Sequence, residues 1–151
     1  VQRGVARGYV TLLPDTLIDT TEFDQATRTP DGGIVSNVYD MAVFLQALLV
    51  EKRLLTEAEL SEKTGDVHWD AKTAGFDGLG ILRFNVVNGE AAYGYHGGHL
   101  GYSAELWYIP VRALTIAYLM NSSTQFGAHG KALADFKLRV AGALVNEMGK
   151  Q

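Results

Sequence analysis

The sequence predicts an α+β fold: an antiparallel sheet of about four strands, a long C-terminal helix on one face and a small helical lobe. Three observations carry this. Ser103 to Ile109 and Leu114 to Met120 read as strands of a pleated, half-buried sheet, turning at Pro110-Val111-Arg112-Ala113. Phe76 to Val87 and Glu90 to His96 form a second pair joined at Asn88-Gly89, a dipeptide suited to the positive φ values of a type I′ turn. From about His129 to Met148, Leu133, Phe136, Val140, Ala141, Leu144, Val145 and Met148 recur close to the helical period. Gly149 is placed to end that helix.

The remaining elements follow from local signals. Residues before about Gly33 are expected to be mostly irregular, with Pro14-Asp15 and Pro30-Asp31-Gly32 as turns. A helix is expected from about Asn37 to Val50. Ser36 can cap it, Asp40 sits near its positive end, and Met41, Phe44, Leu45, Leu48 and Leu49 fall on one face. Thr56-Glu57-Ala58-Glu59 is a capping box, so a short helix follows to about Lys63. Residues 64 to 75 read as a loop. The chain is expected to fold as a single unit over residues 1–151.

Composition narrows the function classes. Hydrophobic content of 47% and charge content of 20% suit a globular domain. A chain of 151 residues can bury roughly 70% of the surface it exposes when unfolded. A net charge of −4 argues against nucleic acid, whose phosphates call for clustered Lys and Arg. No apolar run approaches the ~20 residues that cross a bilayer. With no cysteine, disulfides and thiolate zinc sites are excluded, and the redox compartment stays open.

Chemistry points to the run Tyr93-Gly94-Tyr95-His96-Gly97-Gly98-His99-Leu100-Gly101-Tyr102-Ser103. Four glycines beside a histidine, leading into a strand, mark a place where something approaches the backbone closely. The plain alternative is a glycine-rich hairpin with a surface histidine. His96 and His99 form a His-x-x-His pair, but on a strand residues three apart face opposite ways, so no metal is expected there. His68 reads as a surface loop residue. His129 reads as a capping or solvent-facing residue. Trp107, Tyr108 and Tyr118 read as core, and Ser122-Ser123 as the approach to the last helix.

These segments together resemble the serine β-lactamase-like hydrolases: class C β-lactamases, D-alanyl-D-alanine carboxypeptidases and related esterases. The histidine-glycine run is similar to the family's third motif, a Lys-Thr-Gly or His-x-Gly triplet on the strand that walls the active site. Pro30-Asp31-Gly32-Gly33 leading into the helix that ends in Leu48-Leu49 resembles a second signature. Gly75-Phe76-Asp77-Gly78-Leu79-Gly80-Ile81 resembles the family's Tyr-Gly-Leu-Gly strand. Leu114 to Asn121 resembles the strand that precedes its last helix. The resemblance runs from about Gly8 to the end and implies a partial β-lactamase/transpeptidase-like fold.

Two family motifs are missing. No serine has lysine three positions later, and no tyrosine or serine has asparagine two positions later. The resemblance therefore implies a C-terminal fragment of a larger domain, whose N-terminal part carries the nucleophile and bases. It implies a serine hydrolase acting on small-molecule or peptide amide and ester acyl groups, without a cofactor, with this chain inactive by itself. His96 would stand first in the triplet, with Gly97 and Gly98 lining the substrate path and the His99 N–H as one oxyanion donor. Histidine, with an ordinary pKa near ~6.5, is mostly neutral at neutral pH, which favours peptide, amide or ester substrates over β-lactams. An exported or periplasmic parent is implied, though the compartment itself is not written in these residues. The uncharged 114–120 strand edge is expected to pair with a second copy, with the chain's own N-terminal segment or with the missing N-terminal part. The competing reading is a non-catalytic peptide-binding or assembly module that keeps the fold.

Overall fold

Alternation of apolar side chains, broken by glycine turns, builds one large sheet. The computed structural model describes residues 4–13, 16–23, 32–65, 68–70, 75–85, 89–122 and 130–148. The strands are β1 (Tyr9–Leu13), β2 (Thr16–Asp19), β3 (His68–Asp70), β4 (Gly75–Asp77), β5 (Leu82–Asn85), β6 (Ala91–His99), β7 (Tyr102–Ile109) and β8 (Leu114–Met120). The helices are α1 (Val38–Leu45), α2 (Glu57–Thr64) and α3 (Gly130–Met148). β1 and β2 form an antiparallel hairpin, and β3 to β8 form a six-stranded sheet in chain order. Every pairing in that sheet is antiparallel.

Of the predicted sheet strands, Leu114 to Met120 is β8 as expected, β7 begins one residue earlier than expected and β6 runs on to His99. Residues 64 to 75 are not a simple loop: β3 forms there, and His68 lies on it, opposite Asp77. The strand expected over Phe76 to Val87 is two strands, β4 and β5. Gly80 takes φ +79° between them, and the Gly78 N–H donates to Ile81 O at 2.9 Å, which closes a turn. Within the first 33 residues, expected to be mostly irregular, β1 and β2 form a hairpin. Gly89 has φ +76°, as a type I′ turn requires, while its partner Asn88 lies outside the described residues. Pro14-Asp15, Pro30-Asp31, His129 and Gly149 also lie outside them.

The two faces of the sheet follow from register. One face carries Leu82, Ala92, Trp107, Ile109 and Ile116, all buried, with Phe84, Leu114 and Tyr118 packed against them. Phe84 meets the Trp107 ring edge-on at 4.3 Å between centroids, a favoured aromatic geometry. The other face carries Tyr93, which packs, as Leu49 and Leu55 do, against a cluster of Leu48 and Leu60 from the helical lobe and Ile81 just before β5. α1 runs beside β7 and β8.

Helix ends obey capping chemistry. Thr56 and Glu59 form the expected reciprocal box at the start of α2. At α1 the cap is Asn37 rather than Ser36. Asn37 is extended, and its Oδ1 accepts from the N–H groups of Tyr39 and Asp40, both at 3.0 Å. Ser36 stands one residue too early to reach those donors. The helix expected to reach Val50 passes into a π-helical turn at Gln46–Val50. Leu45 and Leu48 are buried, but Phe44 is 53% exposed. On α3, Phe136 and Leu144 of the expected apolar stripe are likewise exposed. No helix among the described residues is long and apolar enough to cross a membrane.

Contacts at both ends fix the sheet. Arg112, in the 3-10 turn Pro110–Arg112, makes a two-pronged pair with Glu90 at 2.5 and 2.8 Å. Its hydrogen bonds hold the Glu90 carboxyl below the usual range. At the other end, Tyr9 N–H donates to Asn121 O at 3.1 Å, and Tyr102 Oη donates to Ala6 O at 2.8 Å. β8 is the last strand of the sheet, and Tyr9 meets the chain just past it in a parallel bridge to Ser122.

Glycine at position 94 is a packing requirement. A Cβ there would lie 1.9 Å from the Leu106 carbonyl oxygen, in backbone that cannot swing aside. Gly94→Ala is expected to destabilise the chain by about 3 kcal/mol through this overpacking. Urea unfolding followed by tryptophan fluorescence measures it, and an unchanged midpoint would contradict the close approach.

Candidate active site

The glycine-rich run is strand rather than loop. β6 continues through Gly97 and Gly98 to His99, and seven pairs join it to β7, from Tyr93↔Tyr108 to His99↔Tyr102. Leu100 and Gly101 make the two-residue turn, with Gly101 at φ +82°. A Cβ on Gly101 would lie 2.1 Å from Thr20 Oγ1. Thr20 is fully buried and its hydroxyl donates to Leu100 O at 3.3 Å, so the β1–β2 hairpin supports the turn.

On its other side β6 is open. The ladder to β5 ends at Leu82↔Gly94. Beyond it, residues 95–99 have only β7 as a neighbouring strand among the described residues. In an antiparallel ladder, successive residues turn their backbone groups alternately toward and away from the partner. His99 and Tyr102 close a two-residue turn, so the His99 N–H points toward β7. The N–H groups that point away from it are therefore those of His96 and Gly98.

The four candidate residues divide between the faces. Gly97 and His99 lie on the same side as Tyr93 and Tyr95. His96 and Gly98 lie on the side of Ala92, with Trp107 and Glu105 on the neighbouring strand. Gly97 and His99 are exposed, His96 and Gly98 partly buried. Among the described residues, no atom lies within 4 Å of where a Cβ on Gly97 would stand. Tyr95 is 50% exposed beside it. The His96 ring stacks at 6.0 Å from Tyr95 and lies 6.1 Å from Trp107, centroid to centroid. Among the described residues no group of three metal-ligating side chains gathers.

One residue escaped the sequence reading. Glu105 is 6% exposed on the apolar face, and the Trp107 Nε1–H donates to its Oε2 at 2.6 Å. It stands directly between His96 on β6 and Tyr118 on β8. The signal was available: in Ser103-Ala104-Glu105-Leu106-Trp107-Tyr108-Ile109, Glu105 shares its parity with Trp107 and Ile109. A carboxylate at an inward position is unusual enough to mark. Burial, and then the charge of Glu105, push the Tyr118 phenol well above its ordinary pKa.

A cavity of about 320 Å³ lies at the far end of the β6–β7 pair. Leu49, Leu60, Tyr93, Tyr108 and Pro110 line it, with Lys52 and Glu57 also on its wall.

This antiparallel sheet, with a helical lobe beside one face and a glycine-lined strand open at its edge, defines a β-lactamase/transpeptidase-like half-domain. A family model described as Beta-lactamase matches residues 1–138. The chain belongs to that family. Solved structures of the same fold include D-amino acid amidase from Ochrobactrum anthropi SV3 complexed with L-phenylalanine amide. It matches at TM-score 0.76 and 23% identity, over 94% of this chain and 42% of that one. D-stereospecific amidohydrolase from Streptomyces sp. matches at TM-score 0.71 and 22% identity, over 82% of this chain and 36% of that one. The chain thus spans less than half the length of these structures. No curated protein matches it.

The Tyr118 environment has a measurable consequence. Its folded pKa exceeds that of an unfolded tyrosine, ~10, so the neutral phenol's contribution to stability is complete below pH ~10 and is lost as pH rises above it. Denaturant melts from pH ~9 to ~11 should show falling stability, and Tyr118→Phe should flatten that fall. Identical slopes in both proteins would show that Tyr118 is not buried beside charge.

Proposed function

We propose that this chain is one wall of a serine acyl-transfer site in a hydrolase acting on amide, peptide or ester substrates. The observation that carries it is the open edge of β6 at Tyr95–His99, in a chain of the Beta-lactamase family. An acyl substrate lies along this edge as an added strand would, its carbonyl reaching an outward N–H. Gly98 supplies that N–H in this reading, the His99 N–H being turned into the hairpin. Gly97 leaves the approach clear, and His99 borders it on the exposed face. His96 acts at the edge as a hydrogen-bonding group or proton carrier.

The nucleophile and its bases belong to polypeptide outside these 151 residues, since no Ser-x-x-Lys occurs within them. The amidase names among the structural neighbours favour amides as the first substrates to try. Polypeptide that carries the nucleophile would also cover the β8 edge. Fold alone leaves a second reading, a peptide-binding module that uses the same edge without chemistry.

Two measurements separate the readings. This chain alone should take no covalent label from a fluorophosphonate, while a complete domain containing Ser-x-x-Lys should label and hydrolyse amino acid amides. In that domain His96→Ala should lower kcat by about 100-fold or more. Gly97→Ala should leave stability within ~0.5 kcal/mol, because its Cβ meets open space, yet weaken turnover. Full turnover in both variants would show that this edge is not a wall of the acyl-transfer site, and a complete domain that neither labels nor turns over would favour the binding module.

A further inference from the structure

The cavity at the far end of the β6–β7 pair lies between the helical lobe and the sheet. Its volume of about 320 Å³ falls within the range of small-molecule sites, roughly 300–1,000 Å³. Among the described residues its apolar wall is Leu60, Pro110 and the cross-strand pair Tyr93 and Tyr108, which stand opposite each other on one face of the sheet. Both tyrosines are half-buried. Its charged wall is Lys52 and Glu57, whose Nζ and Oε1 lie 3.5 Å apart. That pair is loose. The Glu57 side chain is 88% exposed and the Lys52 side chain 50%, so water screens the pair and it contributes little to stability. Lys52 is the more sheltered of the two charges. Its backbone is also held against preference. Lys52 follows Glu51, the C-cap of the Gln46–Val50 turn, and takes φ +50°. Glycine is the usual residue at that place and would hold the same φ without strain. What glycine could not supply is a cation on the cavity wall.

We propose that this cavity binds a small carboxylate with an apolar or aromatic body. The body packs against Leu60, Tyr93 and Tyr108, and removing its apolar surface from water drives binding. The carboxylate takes Lys52 Nζ in place of Glu57, which turns back to water. Exposure decides the sign of the ligand. An ammonium would have to be held by Glu57, the charge that stands further out in solvent, whereas an anion meets the half-sheltered Lys52. A neutral group of the same shape would gain no charge-assisted hydrogen bond there. Tyr93 stands four residues before Gly97 on β6, about 13 Å along the strand at ~3.3 Å per residue. Binding here therefore does not rest on the function proposed above.

Amide NMR of the 151-residue chain, titrated with phenylpropionate, tests this. The signals of Leu60, Tyr93 and Tyr108 should move and saturate. Phenylpropanamide keeps the ring without the charge, and acetate keeps the charge without the ring. Each should bind at least about tenfold more weakly than phenylpropionate. Lys52→Gly should fold as the unaltered chain does, because glycine accepts the positive φ, and should bring phenylpropionate down to the affinity of phenylpropanamide. Lys52→Met, which keeps most of the stem without the charge, should do the same. Saturable shifts that lie elsewhere on the chain, or no saturable shift at all, overturn the proposal. So does equal binding of phenylpropionate and either analogue, or an affinity unchanged in Lys52→Gly.

Discussion

The register of the β6–β7 hairpin is the constraint on which the rest of the structure depends. It is set at the Leu100-Gly101 turn, where Gly101 adopts a positive φ and packs against Thr20 with no room for a side chain. Sheet side chains alternate with a period of two, so a slip of one residue would exchange the faces. Trp107 and Ile109 would leave the core, and Tyr93 would leave the helical lobe. The same slip would reverse which backbone groups point out of the hairpin. Core, lobe and candidate site are therefore fixed together by one turn.

From that register the site acquires two unlike sides. The exposed side offers Tyr95, Gly97 and His99 over open space. The core side holds His96 among Tyr95, Trp107 and Glu105. Between them runs a strand edge that β5 leaves uncovered past Gly94. Glycine does different work along this strand. Gly94 is needed because backbone lies against it, whereas at Gly97 a Cβ would meet nothing within 4 Å among the described residues.

Much of the architecture was legible because it rests on local chemistry. The Thr56–Glu59 box, the positive φ at Gly89 and the paired strands around Pro110 depend on neighbours a few residues away. The errors came where local and longer-range terms competed. Asn37 displaced Ser36 because cap geometry, not residue preference, chooses the donor set. β3 and β4 are short and pair with each other, so neither had enough alternation to show itself. Phe44 fell on the expected inward stripe yet is exposed, since periodicity names a face without supplying what covers it.

The sequence by itself determined the α+β class, the sheet strands from β5 onward and the glycine-histidine segment that merits attention. It did so because hydrophobic period, capping and turn preferences act over short range. Tertiary structure alone decided that β6 runs on through Gly98 to His99 and that Glu105 stands opposite His96. Those facts depend on strand register and on where β5 stops. Register is fixed by contacts between residues distant in the chain, such as Thr20 with Leu100. No window along the sequence contains both partners.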